Sequence, residues 1–408
     1  MKSTIDNNVC DLGFDTTRQV QLMVVWPLPD DLSLASIYLY AMLMKESPAS
    51  FASFRTLALK YDSIGGFPPD FQVVTIGGKR CLLLTTGCVI NRFMHSFPSV
   101  ESLLISRTEK LISRGPKLDP VSLSLAKGKL CQSIRSFETN PQAILVRAVL
   151  SCYNNLKITS PTSLKWSAIE GLKDTDVSRV AEAVASAKSF AVYSNIRHGG
   201  SIRKHFGSTG YVLQPFTPPV CNTGSADPQF FFTPTRYDLV NRIYRLSGPV
   251  EEKPSFATEL IQRLVQSLLW GLDDSVLFLN IREKEGLVYS MNVSFYAPDL
   301  LSISFRTGLG LGRSAIRRLD EAIAGSAEAI TASNFDSAIN NVRDSIHENF
   351  AEADARIAID SMMLGWPISE GEQLQDLAHI QVAQVKDLLN RLVPEVGIVV
   401  TQPGQKEE

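Results

Sequence analysis

The chain has 408 residues, of which 44% are hydrophobic and 20% charged, a balance typical of globular proteins with enough length for two or three domains. Forty basic residues oppose 42 acidic ones, so the net charge of -2 indicates neither a nucleic-acid partner nor an anionic membrane. No cysteines are spaced as C-x-x-C, no apolar run is long enough to cross a bilayer and no signal peptide is visible, so we expect a cytoplasmic protein with free thiols.

The first half of the chain predicts helices followed by a β-hairpin. Apolar spacing favours helices over residues 33–45 and 49–61. Two alternating segments, 71–76 and 80–86, are joined by a Gly-Gly pair, which is typical of a hairpin. A helix ending in S-I-R-S-F, two further helices at 142–153 and 174–187, and a strand at 190–196 complete this half.

The second half predicts the same order of elements. Helices are expected over 255–269 and 275–284, followed by strands at 288–296 and 301–306 around a Pro-Asp turn. A helix ending in S-I-H-E-N-F, helices at 355–364 and 382–392, and a strand at 396–401 follow. This repetition predicts an α+β fold of two homologous domains, each a mostly antiparallel sheet with helices on one face, that together form half of a clamshell.

A segment rich in glycine, proline, serine and asparagine separates the two halves. It predicts a surface linker over residues 198–228, with domains at 1–197 and 229–408.

The segment R-E-K-E-G-L-V-Y-S, residues 282–290, carries a family resemblance. It resembles the R-E-K-R-G-L-x-Y-S signature in the second domain of the insulinase or pitrilysin-like metallopeptidases, the inverzincins, with Tyr289 seven positions after Arg282. The preceding residues keep Gly271 and Ser275 of that family's glycine-rich segment and otherwise depart from it. The resemblance extends over essentially the whole chain and implies two peptidase-like domains.

Active members of that family carry H-x-x-E-H on the first helix of the first domain. Here M-L-M-K-E resembles the family's M-L-F-K-G, which aligns Ile37, Tyr40 and Ala41 with the histidine, glutamate and histidine positions. Isoleucine and alanine offer zinc no lone pair, and a phenol with a pKa of about 10 is a poor base at neutral pH. None of the five histidines begins such a motif. We therefore expect a degenerate zinc site and no zinc in this chain.

The resemblance implies that Arg282 and Tyr289 reach across a heterodimer toward the zinc of a homologous H-x-x-E-H-bearing subunit. A guanidinium fork can donate to peptide carbonyls, and a phenol can donate to a developing oxyanion. The chain is then inactive alone and contributes substrate binding to a zinc metalloendopeptidase when paired. The substrates would be peptides, with the precursor of a ribosomally made peptide as one candidate.

A second interpretation stays open. The chain would be a pseudopeptidase that serves as a binding or scaffold protein, either a homodimer or a structural core subunit. Arg282 would then pair with Glu285 on its helix, and Tyr289 would be an ordinary strand residue. A third, a peptidase with unusual metal ligands, has little support because the histidines are scattered.

Overall fold

The computed structural model describes residues 9–11, 19–51, 53–63, 65–76, 79–89, 97–138, 140–154, 156, 159, 161–186, 191–194, 218–223, 226–248, 255–352 and 369–404. Most of the predicted linker and the helix expected at 355–364 lie outside these residues. No helix in the described ranges combines the length and apolar character that a membrane span requires.

The strands are β1 Val9–Asp11, β2 Gln19–Pro27, β3 Gly66–Ile76, β4 Lys79–Val89, β5 Tyr153–Asn154, β6 Ala191–Ser194, β7 Val220–Cys221, β8 Pro228–Phe232, β9 Asp238–Leu246, β10 Met291–Ala297, β11 Leu300–Thr307 and β12 Leu392–Thr401. The α-helices are α1 Leu34–Glu46, α2 Phe54–Asp62, α3 Phe97–Arg114, α4 Pro120–Glu138, α5 Pro141–Cys152, α6 Trp166–Glu170, α7 Asp174–Ala185, α8 Phe256–Trp270, α9 Gly312–Ala324, α10 Ser326–Ala329, α11 Ala332–Glu352, α12 Glu370–His379 and α13 Val382–Asn390. A 3-10 turn covers Pro161–Ser163, and a π-helix covers Phe278–Lys284.

The two main sheets have the same topology. The first has the strand order β1-β6-β2-β4-β3 and the second β8-β12-β9-β11-β10. In each sheet the first strand named is parallel to its neighbour and all other neighbouring strands are antiparallel. Because chain order and pairing match strand for strand, the duplicated, mostly antiparallel α+β architecture predicted from the sequence is confirmed.

Helices α1 and α8, which hold equivalent places in the two halves of the fold, both begin with a serine that caps the helix. The Ser33 hydroxyl accepts a hydrogen bond from the Ser36 backbone N–H (3.0 Å) at the start of α1. The Ser255 hydroxyl accepts one from the Thr258 backbone N–H (3.2 Å) at the start of α8. A serine cap satisfies one of the four N–H groups that every helix leaves unpaired at its N-terminus, which explains why the predicted starts agree with the structure within a residue.

The chain divides into two compact units whose segments alternate along the sequence. One comprises Met1–Arg135, Thr159–Gln214 and His347–Glu370, and the other Ser136–Ile158, Pro215–Ile346 and Gly371–Glu408. Helix α5 therefore belongs to the unit of the second sheet, although its sequence lies in the first half. The contiguous boundaries at 197 and 229 stay a prediction.

Helix α5 covers the face of the second sheet opposite to α9. Its residues Leu145 and Val149 share an apolar cluster with Ile243 and Ile398 of the sheet. Neighbouring Arg242 of the same strand is bonded to Asp320 of α9, and successive strand residues point to opposite faces. The second sheet is thus buried on both faces, which fits the nearly continuous burial along β9.

Strand β3 forms one edge of the first sheet as far as the structure describes it. It contains Pro68 and Pro69, and its pairing with β4 is interrupted by a register shift between Phe67 and Asp70. The Asp70 carboxylate then accepts from Lys45 of α1 (3.0 Å), which ties this edge to the first helix.

Candidate functional site

The positions aligned with the zinc motif lie inside the first unit. Ile37, Tyr40 and Ala41 are on α1 and are only 0%, 2% and 5% exposed, within one large apolar cluster. Burial also raises the pKa of the Tyr40 phenol above its ordinary value, so this hydroxyl stays protonated at neutral pH. These side chains do not fit a zinc ion, because isoleucine and alanine have no ligand atom and the buried Tyr40 phenol keeps its proton.

Helix α1 is apolar on nearly every side, as the sequence I-Y-L-Y-A-M-L-M indicates, and the structure buries it accordingly. Even Tyr38, which is partly exposed, donates its hydroxyl to the Thr159 carbonyl. Within the described ranges, no three histidine, cysteine or acidic side chains come together in a way that could hold a metal. The expectation that this chain carries no zinc stays a prediction.

Arg282 lies on the π-helix, two residues before its last residue, in the region where the sequence predicted an ordinary helix. A π-helix is rare and usually short, and it occurs frequently at functional sites. The preceding α8 is followed directly by Gly271, where an added Cβ would lie 2.7 Å from the Ser267 Cα, so the close packing of this turn requires glycine.

Tyr289 lies in the connection from the π-helix to β10. Gly286 has a φ of 64°, the left-handed conformation that favours glycine, and its N–H donates to the Arg282 carbonyl (3.0 Å). The chain then turns toward β10, an edge strand of the second sheet as described. The Tyr289 side chain is 85% exposed. A tyrosine with so little contact contributes little to packing, so its hydroxyl is available to a ligand.

The guanidinium of Arg282 is held by an aromatic ring. It lies over the Phe278 ring at 4.7 Å from the centroid, and Trp270 lies on the Phe278 ring in turn, with centroids 5.7 Å apart. The nearest carboxylate contact that the structure gives is to Glu283 at 3.7 Å, whereas Glu285 lies beside Arg318 at 4.0 Å. With its side chain 45% exposed, Arg282 can present N–H donors to solvent.

Sequence reasoning did not include Phe278 among the site residues. The spacing in the sequence could have indicated it, because Phe278 precedes Arg282 by four positions and residues four apart on a helix lie on the same face. The structure thus places Arg282, Phe278 and Tyr289 in one unit, and Ile37, Tyr40 and Ala41 in the other.

Comparison with protein-family models gives no match, and neither does comparison with curated proteins. Solved structures do match over nearly the full chain. A conserved protein from Enterococcus faecalis V583 superimposes with a TM-score of 0.76 at 13% identity, over 98% of this chain and 96% of its own. A protease from Helicobacter pylori gives 0.72 at 10% identity, over 97% and 98%.

A third match is described as a peptidase M16 inactive domain from Pseudomonas fluorescens. It has a TM-score of 0.71 at 14% identity, over 96% of this chain and 95% of its own. At such identities the likeness shows the fold alone. The chain therefore has the fold of the M16-like peptidases, the insulinase and pitrilysin-like group whose sequence signature it resembles, and that fold occurs in inactive as well as active proteins.

Proposed function

We propose that this chain is the non-catalytic, substrate-binding subunit of a heterodimeric zinc peptidase. The zinc and the general base belong to a homologous partner, and this chain supplies Arg282 and Tyr289 to the shared site. The substrate is a peptide or a small unfolded protein held in extended form. The precursor of a ribosomally made peptide belongs to that class.

The observation that supports this proposal is a contrast between the two units. The side chains aligned with the zinc ligands are buried and chemically inert, whereas Arg282 and Tyr289 are exposed, next to an edge strand, on an irregular helix and its exit turn. A tyrosine that is 85% exposed adds little to the stability of a scaffold, so binding is the better account of it.

The two side chains have complementary chemistry toward a peptide. The guanidinium offers a planar set of N–H donors for carbonyl oxygens of an extended chain. The phenol can donate to the oxygen on which negative charge develops when the peptide bond is attacked. A peptide could also add to β10, an edge strand among those that the structure describes, through backbone hydrogen bonds, which gives weak dependence on its sequence.

The test is peptide hydrolysis by the chain together with a co-expressed H-x-x-E-H-bearing partner. We expect turnover and about one zinc per pair, with neither from this chain alone. Replacing Arg282→Ala should lower kcat/KM by about 100-fold, and Tyr289→Phe by a similar factor. Arg313→Ala is a matched control, because Arg313 is also exposed and lies over a ring, that of Phe230 at 5.4 Å, on the strand at the opposite edge of the sheet from β10.

Suppose that the two-subunit assembly carrying both Arg282→Ala and Tyr289→Phe hydrolyses peptides at an unchanged rate. That result would reject this proposal and favour the scaffold function. Failure to form an active pair with any H-x-x-E-H-bearing chain would do the same. Zinc and turnover from this chain alone would show that the alignment of Ile37, Tyr40 and Ala41 with the metal ligands is wrong.

A further inference from the structure

We propose that Phe278 is a positioning residue that sets the direction of the Arg282 guanidinium toward the substrate, with the tilted Trp270 ring packed against Phe278 as its support. This inference rests on the proposed function of Arg282. It adds two aromatic residues to the binding apparatus, neither of which touches the substrate.

The mode of attachment leaves the arginine's donors available. The Phe278 ring offers the guanidinium a π face and no carboxylate or carbonyl oxygen. This contact therefore holds the group without giving its N–H groups the kind of acceptor that a peptide carbonyl supplies. A carboxylate partner would occupy those groups, as Asp320 does when it binds Nε and Nη2 of Arg242 at 2.9 and 2.7 Å.

Two arginines of the same unit illustrate this difference. Arg242 is only 4% exposed, and its carboxylate partner uses the guanidinium's donors for stability. Arg282 is 45% exposed, and its carboxylate contact, to Glu283, is a long one of 3.7 Å. A long, exposed arginine loses up to about 2 kcal/mol of side-chain entropy when it is fixed. A preformed stack reduces the part of this cost that falls on substrate binding.

The local backbone supports the same interpretation. Phe278 is the first residue of the π-helix and is half-buried, so its ring has packing of its own. The Trp270 ring meets it at an interplanar angle of 46° from the end of α8, a separate element. The ring under Arg282 is thus supported from outside the irregular helix. A surface contact formed by chance would not need this second support.

The first test uses the isolated chain and needs no partner. In Nε–H NMR spectra of the chain labelled in its arginines, the Arg282 signal should carry a ring-current shift. Phe278→Leu should abolish that shift, because leucine keeps apolar volume but has no ring, and Phe278→Tyr should retain it. If the Arg282 signal has the same chemical shift in the native chain and in Phe278→Leu, the proposed contact between the ring and the guanidinium is wrong.

The second test measures kcat and KM for an unstructured peptide with the reconstituted pair. Phe278→Leu should lower kcat/KM about two- to fivefold, the range expected for a cation–π contact at an exposed site, and Phe278→Tyr should restore it. In the Arg282→Ala background, Phe278→Leu should have no further effect. Phe230→Leu removes the ring under Arg313 (5.4 Å) and is the matched control, with unchanged kinetics.

The outcomes separate the two proposals. If Arg282→Ala leaves kcat/KM unchanged, the proposed function fails and the role of Phe278 fails with it. If Arg282→Ala lowers activity while Phe278→Leu does not, the positioning role alone is overturned. The positioning role is also overturned if Phe278→Leu lowers kcat/KM by the same factor with and without Arg282. In that case Phe278 acts through folding and not through Arg282.

Discussion

At the scale of residues, Arg245 joins four segments of the second unit. Its Nε donates to Glu395 (2.5 Å), one Nη donates to the Asp299 carboxylate, and the other donates to the Pro219 carbonyl (2.8 Å). The Tyr153 hydroxyl completes the network by donating to Glu395 (2.7 Å). Each partner is distant in sequence, so no local pattern could have predicted this cluster. Helix caps such as Ser33 depend on residues three apart and were predictable.

Arg245→Ala should destabilise the protein by about 3 kcal/mol, because it leaves a carboxylate without its charged partner in a site where Asp299 is only 2% exposed. Denaturant unfolding measures this change. Arg179→Ala is the control, since its ion pair with Asp31 (2.6 Å) is well exposed and should contribute less than about 1 kcal/mol. Equal losses for the two variants would contradict the prediction.

The burial of the Asp299 carboxyl leads us to expect that the stability of the protein depends on pH. Burial raises the pKa of its carboxyl in the folded state, and the Arg245 charge opposes this in part. The folded state then holds the proton more tightly than the unfolded state. The stabilisation is therefore full below the ordinary aspartate pKa of about 3.9 and is lost as pH rises through the folded pKa.

The native chain should thus lose stability relative to Asp299→Asn as pH rises from about 4. Asp119 provides a comparison of opposite sign. Its carboxylate accepts from the backbone N–H groups of Ser122 (3.0 Å) and Val121 (3.1 Å), and these bonds lower its pKa. Relative to Asp119→Asn, the native chain should gain stability as pH rises toward about 4, because the folded pKa of Asp119 lies below the ordinary value; this interval lies below the one in which Asp299 acts. Slopes of the same sign for Asp299 and Asp119 would contradict this prediction.

At the scale of elements, the sequence predicted the helices around the candidate site but not the π-helix. The predicted helix at 275–284 has the same apolar residues whichever hydrogen-bond register it adopts, so periodicity does not distinguish the two. Gly286 did indicate the end of this helix, and its φ of 64° supports that interpretation.

Gly286→Ala should cost about 1 kcal/mol of stability, because an alanine there must adopt the left-handed conformation. Nothing lies within 4 Å of an added Cβ, so no clash adds to this cost. Gly115→Ala is matched, with a φ of 60° and an equally open site. The two variants should have similar melting temperatures, but only Gly286→Ala should lower kcat/KM of the assembled pair. Equal activity in both would show that this turn does not position Arg282 and Tyr289.

At the scale of the whole molecule, the repeated order of elements was enough to predict the α+β duplication. It was not enough to assign each helix to its sheet. Helix α5 carries an apolar face that could cover either sheet, and only the complementary surface of Ile243 and Ile398 decides between them. Such pairing depends on contacts between residues more than 90 positions apart.

Leu145→Ala should therefore loosen the second sheet, although residue 145 lies in the first half of the chain. Leu145 is 1% exposed, so we expect a loss of about 2–4 kcal/mol. Hydrogen exchange should report earlier loss of protection in β9 and β12 than in β2 and β4. Leu43→Ala, at a fully buried position of α1 in the first unit's core, should show the reverse order. Equal loosening of both sheets by either variant would contradict the assignment of α5.

The two prolines of β3 have a consequence for self-association. An exposed sheet edge is a template on which another polypeptide can stack, and long, regular edges promote aggregation. Pro68 and Pro69 offer no N–H to an incoming chain, and the irregular register beside them breaks the repeat that such stacking requires. Strand β10 contains no proline. Strand β3 is therefore a poor template for fibrillar growth, whereas β10, next to Tyr289, has a backbone N–H group at every residue and is an edge among the described strands.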